Sequence, residues 1–159
     1  MKTVAPLAIL LLLANQAASA ATAAGGSALA LAALVAEHSP LLTHHEKRVM
    51  ARMFDGHLNF TFPANKKISV AADSVVCRAS NVDITSRSCE LTFGAKKPTL
   101  KGRRAHEIFA TVAEVGVPPD GAAGTIFESL SHLVCTIDPN EIKQRAGGGA
   151  DCQFDPGAP

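Results

Sequence analysis

The spacing of hydrophobic positions changes along the chain from a helical period to an alternating one, which predicts helices first and strands afterwards. Residues 28–37 are rich in Ala and Leu, and Ser27 precedes them as a predicted N-cap. Thr43 and Glu46 form a Thr-x-x-Glu capping box, which predicts a second helix over residues 44–55. We expect these two helices to form a helical hairpin.

Alternation of apolar and polar residues then indicates a series of short strands. Leu58, Phe60 and Phe62 alternate with polar residues, which predicts a half-buried strand over residues 58–62. Because the strands follow one another with short connections, we expect them to pair antiparallel. Further strands are expected at residues 68–70, 74–78, 89–93, 131–137 and 151–154.

One longer helix is predicted over residues 105–115, where apolar residues recur at spacings of three and four. The stretch 125–133 is ambiguous, because it fits a capped helix as well as a strand. A strand is preferred for residues 131–137, since Cys135 then lies opposite Cys152 on a returning strand.

This order of elements predicts an α+β fold, in which an N-terminal helical hairpin and one further long helix are segregated from a mostly antiparallel sheet. Four cysteines allow three disulfide connectivities. Sequence proximity favours Cys77–Cys89 and Cys135–Cys152. Zinc binding by these thiols is disfavoured, because no Cys-x-x-Cys pair is present.

Residues 1–20 have the features of a signal peptide. Lys2 provides a positive start, residues 4–14 are an apolar run, and Ala18-Ser19-Ala20 has the small-x-small pattern that signal peptidase reads. Export places the cysteines in an oxidising compartment, where disulfides form and persist. The predicted location is therefore periplasmic or extracellular.

The mature chain is expected to contain one domain. Residues 21–40 are predicted to be a flexible N-terminus with a short helix, and residues 41–159 a single α+β domain. No transmembrane span is expected after cleavage, because the apolar stretch at 28–36 is shorter than the roughly 20 residues that a spanning helix needs.

Overall charge excludes some function classes. The chain has 15 Lys and Arg against 14 Asp and Glu, and removal of Lys2 leaves the two signs equal. A near-zero charge argues against a nucleic-acid partner, whose phosphates need neutralising. Trp and Tyr are absent, which leaves little material for stacking on bases or sugars.

The strongest local charge asymmetry is a basic run beside the predicted helix 105–115. We expect it to lie in a loop over residues 95–104 and to bind an envelope protein or an anionic surface; the alternative is a solvated loop that keeps a sheet edge from aggregating. A second candidate loop, residues 79–88, is closed at its base by Cys77 and Cys89. The predicted binding residues are Lys96, Lys97, Lys101, Arg103 and Arg104.

Two sets of side chains raise the question of catalysis. His38, His44, His45 and His57 lie close in sequence, but they lack the spacing of a known metal motif. Ser129, Ser131 and His132 are also close, although no Gly-x-Ser-x-Gly surrounds them. No catalytic residue, metal ligand or cofactor is therefore predicted.

The sequence favours a small exported protein that acts as a non-catalytic binding module. The alternative is a small hydrolase or metal-binding enzyme that uses His132 or the group His38, His44 and His57. Convergence of a histidine with a carboxylate or with other histidines would favour this alternative.

Overall fold

A computed structural model describes residues 20–80, 86–115 and 125–156, and these form six strands and four helices. Residues 1–19 of the predicted signal peptide and residues 81–85 of the predicted loop lie outside this part. The elements in chain order are β1 Ala21–Ala24, α1 Gly25–Ala36, α2 His44–Phe54, β2 Ile68–Ser80, β3 Ser88–Thr92, β4 Thr99–Lys101, α3 Gly102–Val115, β5 Thr125–Ile137, α4 Pro139–Gln144 and β6 Ala150–Pro156.

The strands form one antiparallel sheet in the order β1-β6-β5-β2-β3-β4. β2 and β5 lie at its centre and pair from Ile68 opposite Ile137 to Ser80 opposite Thr125. The predicted α+β class and antiparallel pairing are confirmed, and the ambiguous stretch after residue 125 is a strand.

The alternation of buried residues in β2 shifts by one position half-way along the strand. Residues 68, 70 and 72 of β2 are buried, and then residues 75 to 77 and residue 79. This slip occurs at Asp73, across from His132, which has a φ of +50° and lies in a β-bulge relative to β6. The sequence predicted two short strands here because the alternation of apolar and polar residues is interrupted at this irregularity, although the strand itself is continuous.

Helices cover one face of the sheet. α1 and α3 pack on the strands, and α2 packs on the outer side of α1, which confirms the helical hairpin. Since α1 lies between α2 and the sheet, residues 31–36 are buried without interruption. α2 buries only Val49, Met50 and Met53, so its remaining surface is free to carry polar side chains.

Both predicted disulfides are present, and each joins two residues that lie directly opposite on adjacent strands. Cys77 pairs with Cys89 between β2 and β3, and Cys135 pairs with Cys152 between β5 and β6. All four cysteines are buried in the core. By the loop-entropy argument each bridge stabilises the fold by about 3 kcal/mol.

The predicted flexible N-terminus, residues 21–40, begins with a strand. Residues 21–24 form β1, which pairs with β6 from Ala21 opposite Phe154 to Ala24 opposite Asp151. α1 follows at once from Ala24, so the predicted cap at Ser27 is wrong. In contrast, the Thr43–Glu46 capping box of α2 is confirmed, with both reciprocal hydrogen bonds formed.

The predicted strand over residues 58–62 is wrong. Its alternation reflects burial against helices: Phe62 is buried and Phe60 half-buried, while Leu58 is 42% exposed. Residues 57–67 form no strand pairing, and the N–H of Phe60 donates to the carbonyl oxygen of Leu58. The amphipathic pattern is therefore real, but the neighbouring strand that would complete a sheet is missing in the described residues.

Candidate functional site

The predicted basic run lies on a β-hairpin and on the start of α3. Lys96 and Lys97 belong to the turn between β3 and β4, and Lys101 is the last residue of β4. Arg103 and Arg104 are in the first turn of α3. All five side chains belong to exposed residues. The expected loop over 95–104 thus contains a short strand, because residues 99–101 pair with β3.

This hairpin is fixed to the central sheet. Phe93 and Lys96 exchange two backbone hydrogen bonds of 2.8 and 3.1 Å, which close the turn. The N–H of Gly94 donates to Oδ2 of Asp73 at 2.6 Å and ties the turn to β2. β4 is the last strand of the described sheet. The lysines therefore stand on an ordered edge.

The two arginines of the run have acidic partners. Arg104 lies 2.9 Å from Glu107 and 3.4 Å from Glu37, and Arg103 lies 2.9 Å from Glu107. Glu37 and Asp55 are the C-cap residues of α1 and α2. Positive charge at the start of a helix is unfavourable. Here the carboxylates of the C-cap residues of α1 and α2 compensate it.

The pKa values of this cluster follow from its contacts. The hydrogen bond with Glu107 raises the pKa of Arg104 most, and the charges of Glu37 and Asp55 add to it, against partial desolvation. Desolvation favours a higher pKa for Glu107, but hydrogen bonds from Arg104 and Arg103 outweigh it and lower that pKa. This pairing supports a structural role for Arg104.

The lysines of the hairpin differ from the arginines in having no such partner. Within the described ranges, no ion pair or side-chain hydrogen bond is found for Lys96, Lys97 or Lys101. Their three positive charges are therefore available to an outside partner.

A second basic cluster lies on α2, and the charge pattern of the sequence did not reveal it. His45, Arg48 and Arg52 follow one another at spacings of three and four, so they lie along one side of the helix. With Val49, Phe60 and Thr61 they line a cavity of about 240 Å³. We call this the α2 cavity.

The wall of the α2 cavity opposite the helix comes from the segment 57–67. Arg52 donates to the carbonyl oxygen of Asn59, and Lys143 of α4 donates to that of Phe60. The Lys143 ammonium lies 4.1 Å from the centre of the Phe60 ring. These contacts join elements far apart in sequence, so this wall, unlike the three basic residues of α2, could not be predicted from a local pattern.

A second cavity of about 320 Å³ lies between α1 and α2 and extends to Arg104 of α3. Leu34, Ala51 and Phe54 form its apolar lining, whereas Glu37 and Arg104 supply opposite charges. Lys47 donates to the backbone carbonyl oxygen of Glu37 at 3.2 Å. Asp55 and Arg48 also line this cavity, so it contains acidic as well as basic groups, and it shares Arg48 with the α2 cavity.

The histidines do not converge. His44 lines the cavity between α1 and α2, His45 lines the α2 cavity and stacks on Phe62, and His57 is exposed. Across the described residues, no three His, Cys, Asp or Glu side chains come close enough to hold a metal ion. The geometry thus gives no support to a metal centre at His38, His44 and His57.

His132 does meet a carboxylate. Its Nδ1 lies 3.0 Å from Oδ2 of Asp155, and Ser131 is directly opposite Asp155 in the sheet. The arrangement leaves Nε2 of the ring pointing away from this carboxylate, as a general base requires. However, the side chain of His132 is 81% exposed, and an efficient base usually works in a site that excludes water.

No protein-family model, curated protein or solved structure matches this chain. Of the helices in the described part, none is both long and apolar enough to cross a membrane. All four cysteines are bridged, which indicates an oxidising compartment.

Proposed function

We propose that this protein is an exported, non-catalytic binding module whose β3–β4 hairpin contacts an anionic surface of the cell envelope. The observation that carries the proposal is the difference within the basic run: Lys96, Lys97 and Lys101 are exposed without an acidic partner in the described structure, whereas Arg103 and Arg104 pair with Glu107. The contact surface is therefore narrower than the sequence suggested.

Electrostatics supports this assignment. Each lysine near an anionic lipid surface contributes about 1 kcal/mol of binding free energy, and the effect fades within a Debye length of roughly 8 Å at physiological salt. A hairpin fixed by Asp73 and by strand pairing presents the three charges together. Because the hairpin is already ordered, binding through it does not require a loop to be ordered. Binding is expected to weaken steeply as salt is added.

The test is co-sedimentation with vesicles of phosphatidylglycerol and phosphatidylcholine, compared with phosphatidylcholine alone. We expect wild type to bind only the anionic vesicles and the triple variant K96E/K97E/K101E to lose binding. K97E alone should weaken binding, while K67E, an equal charge change at another exposed lysine, should not. An equal loss of vesicle binding in K67E and K97E would mean that binding depends on net charge and not on the hairpin. Undiminished binding of the triple variant would contradict the proposal.

Export itself is part of the proposal, with a periplasmic or extracellular location. Two disulfides support it, and β1 begins at Ala21, directly after the predicted cleavage site at Ala20. Mass spectrometry of protein from its native host should find a chain that starts at Ala21 and lacks free thiols. An N-terminal methionine with four reduced cysteines would contradict export.

A second candidate function, a small hydrolase, has one observation in its favour, the 3.0 Å contact between His132 and Asp155. Covalent labelling by a fluorophosphonate probe would support it if the label is lost in both S131A and H132A. S129A, at another buried serine of β5, should retain the label. Exposure of His132 leads us to expect no labelling of wild type.

A further inference from the structure

The α2 cavity differs in charge from the cavity between α1 and α2, with which it shares Arg48. Its lining contains Arg48, Arg52 and His45, and no carboxylate is among its lining residues. The nearest acid in sequence, Glu46, is already engaged: its carboxylate accepts from the N–H and hydroxyl of Thr43 and pairs with Lys66 at 3.3 Å. The positive charge of the cavity is therefore uncompensated by its own lining.

Arg48 and Arg52 stand four residues apart on the same helix. Like charges at this spacing repel one another and weaken a helix. No hydrogen bond or ion pair of Arg48 is found in the described residues, and Arg52 donates only to a backbone carbonyl there. A bound anion would remove this repulsion, because two guanidinium groups can share one multiply charged oxyanion.

The wall facing α2 is held in place independently of any ligand. Phe62 is buried and anchors the segment 57–67. Asn140 of α4 donates to the carbonyl oxygen of Pro63 at 3.1 Å, and Lys143 donates to that of Phe60. The cavity is thus preformed, which reduces the ordering that binding would otherwise require.

We propose that the α2 cavity binds the phosphoryl group of a small molecule, with Arg48 and Arg52 as the charged ligands and Thr61 as a hydroxyl partner. Its volume of about 240 Å³ leaves room for a small organic substituent beside the phosphoryl group, against the ring of Phe60. This site is separate from the hairpin lysines, and its ligand is a small molecule instead of a surface.

Calorimetric titration of inorganic phosphate and of phenyl phosphate, at ionic strength matched with sodium chloride, tests the site. We expect saturable binding by wild type, and a loss of about tenfold or more in affinity in R48Q, as removal of a charge-assisted hydrogen bond implies. R48Q is the principal variant because Arg48 supports no contact of the wall. K67Q removes the same charge outside the cavity and should leave affinity unchanged.

The two probes distinguish free phosphate from a phosphate ester as the ligand. Tighter binding of phenyl phosphate, with the difference abolished in F60A, identifies an ester whose substituent contacts Phe60. Equal affinities identify phosphate alone. K96E/K97E/K101E should bind both probes as wild type does, so that failure of the hairpin proposal leaves this site testable. Absence of saturable binding by wild type, or equal loss in K67Q, would overturn the inference.

Discussion

Nε of Arg104 lies 3.4 Å from Oε2 of Glu37, and this contact joins the first turn of α3 to the C-cap of α1. Asp55, the C-cap of α2, contributes to the same electrostatic environment. The Arg104 guanidinium therefore contacts the end of α1 and interacts electrostatically with the end of α2. A charge that stands at an unfavourable position for its own helix is thereby favourable for the other two.

Truncation of Arg104 should destabilise the protein more than truncation of Arg103. The side chain of Arg104 is 49% exposed and that of Arg103 is 90% exposed, so solvent screens both. We expect R104A to lower the free energy of unfolding by about 1 kcal/mol and R103A by less than about 0.5 kcal/mol. Urea unfolding at low salt measures both, and equal effects would contradict the linking role of Arg104.

Replacement of His132 separates backbone strain from side-chain pairing. H132G and H132A both remove the contact with Asp155, but only glycine tolerates the φ of +50° without penalty. H132G should therefore be more stable than H132A by about 1 kcal/mol. Thermal unfolding of the two variants checks this, and an identical stability would mean that the bulge relaxes when the imidazole is lost.

Acid should destabilise the protein partly through Glu46. The backbone hydrogen bond from Thr43 is the largest cause of its lowered pKa, below an ordinary value of 4.5. A carboxyl group with a lowered pKa in the folded state stabilises the fold above its unfolded pKa, and this contribution is lost as the pH falls through the folded value. Wild type should therefore lose stability below about pH 4.5.

E46Q keeps an acceptor for the Thr43 N–H but does not titrate. Its free energy of unfolding should change less with pH over this acidic range than that of wild type, as followed by urea unfolding at several pH values. Parallel pH profiles for the two proteins would show that Glu46 does not contribute to acid sensitivity.

Gly149 should resist substitution. Its φ is +76°, and a Cβ there would lie 2.9 Å from the carbonyl oxygen of Asp138. Its own carbonyl oxygen accepts from the N–H of Asp138 at 2.7 Å, which aligns the start of α4. G149A is expected to lower the free energy of unfolding by about 1–3 kcal/mol. G26A, in open space within α1, should be neutral or stabilising, and a similar loss in both variants would refute this account.

Features with a local cause were predictable from the sequence. The capping box of Thr43 and Glu46 involves residues three apart, and each disulfide closes the shorter of the loops available to its cysteines. The α+β class followed from the change in hydrophobic period. In each case the deciding residues are near one another in the chain.

Features that depend on distant partners were not predictable. The alternation at Phe60 and Phe62 fits a strand, but helices cover these rings instead of a second strand. β1 forms only because β6 returns beside it. The α2 cavity lies between a helix and the segment 57–67. The spacing of three and four residues between His45, Arg48 and Arg52 was its one signal in the sequence. The pairing of Arg104 with Glu107 spans only three residues, whereas its contact with Glu37 was not predictable because Glu37 is far away in the chain.

The two disulfides close one ring on each side of the central pair of strands. Cys77–Cys89 ties β2 to β3, Cys135–Cys152 ties β5 to β6, and no covalent link crosses from β2 to β5. Even in denaturant, the oxidised chain therefore keeps two rings in which one opposing residue pair is already matched. Refolding has to find one long alignment between these rings, along a central pair of strands that no disulfide crosses.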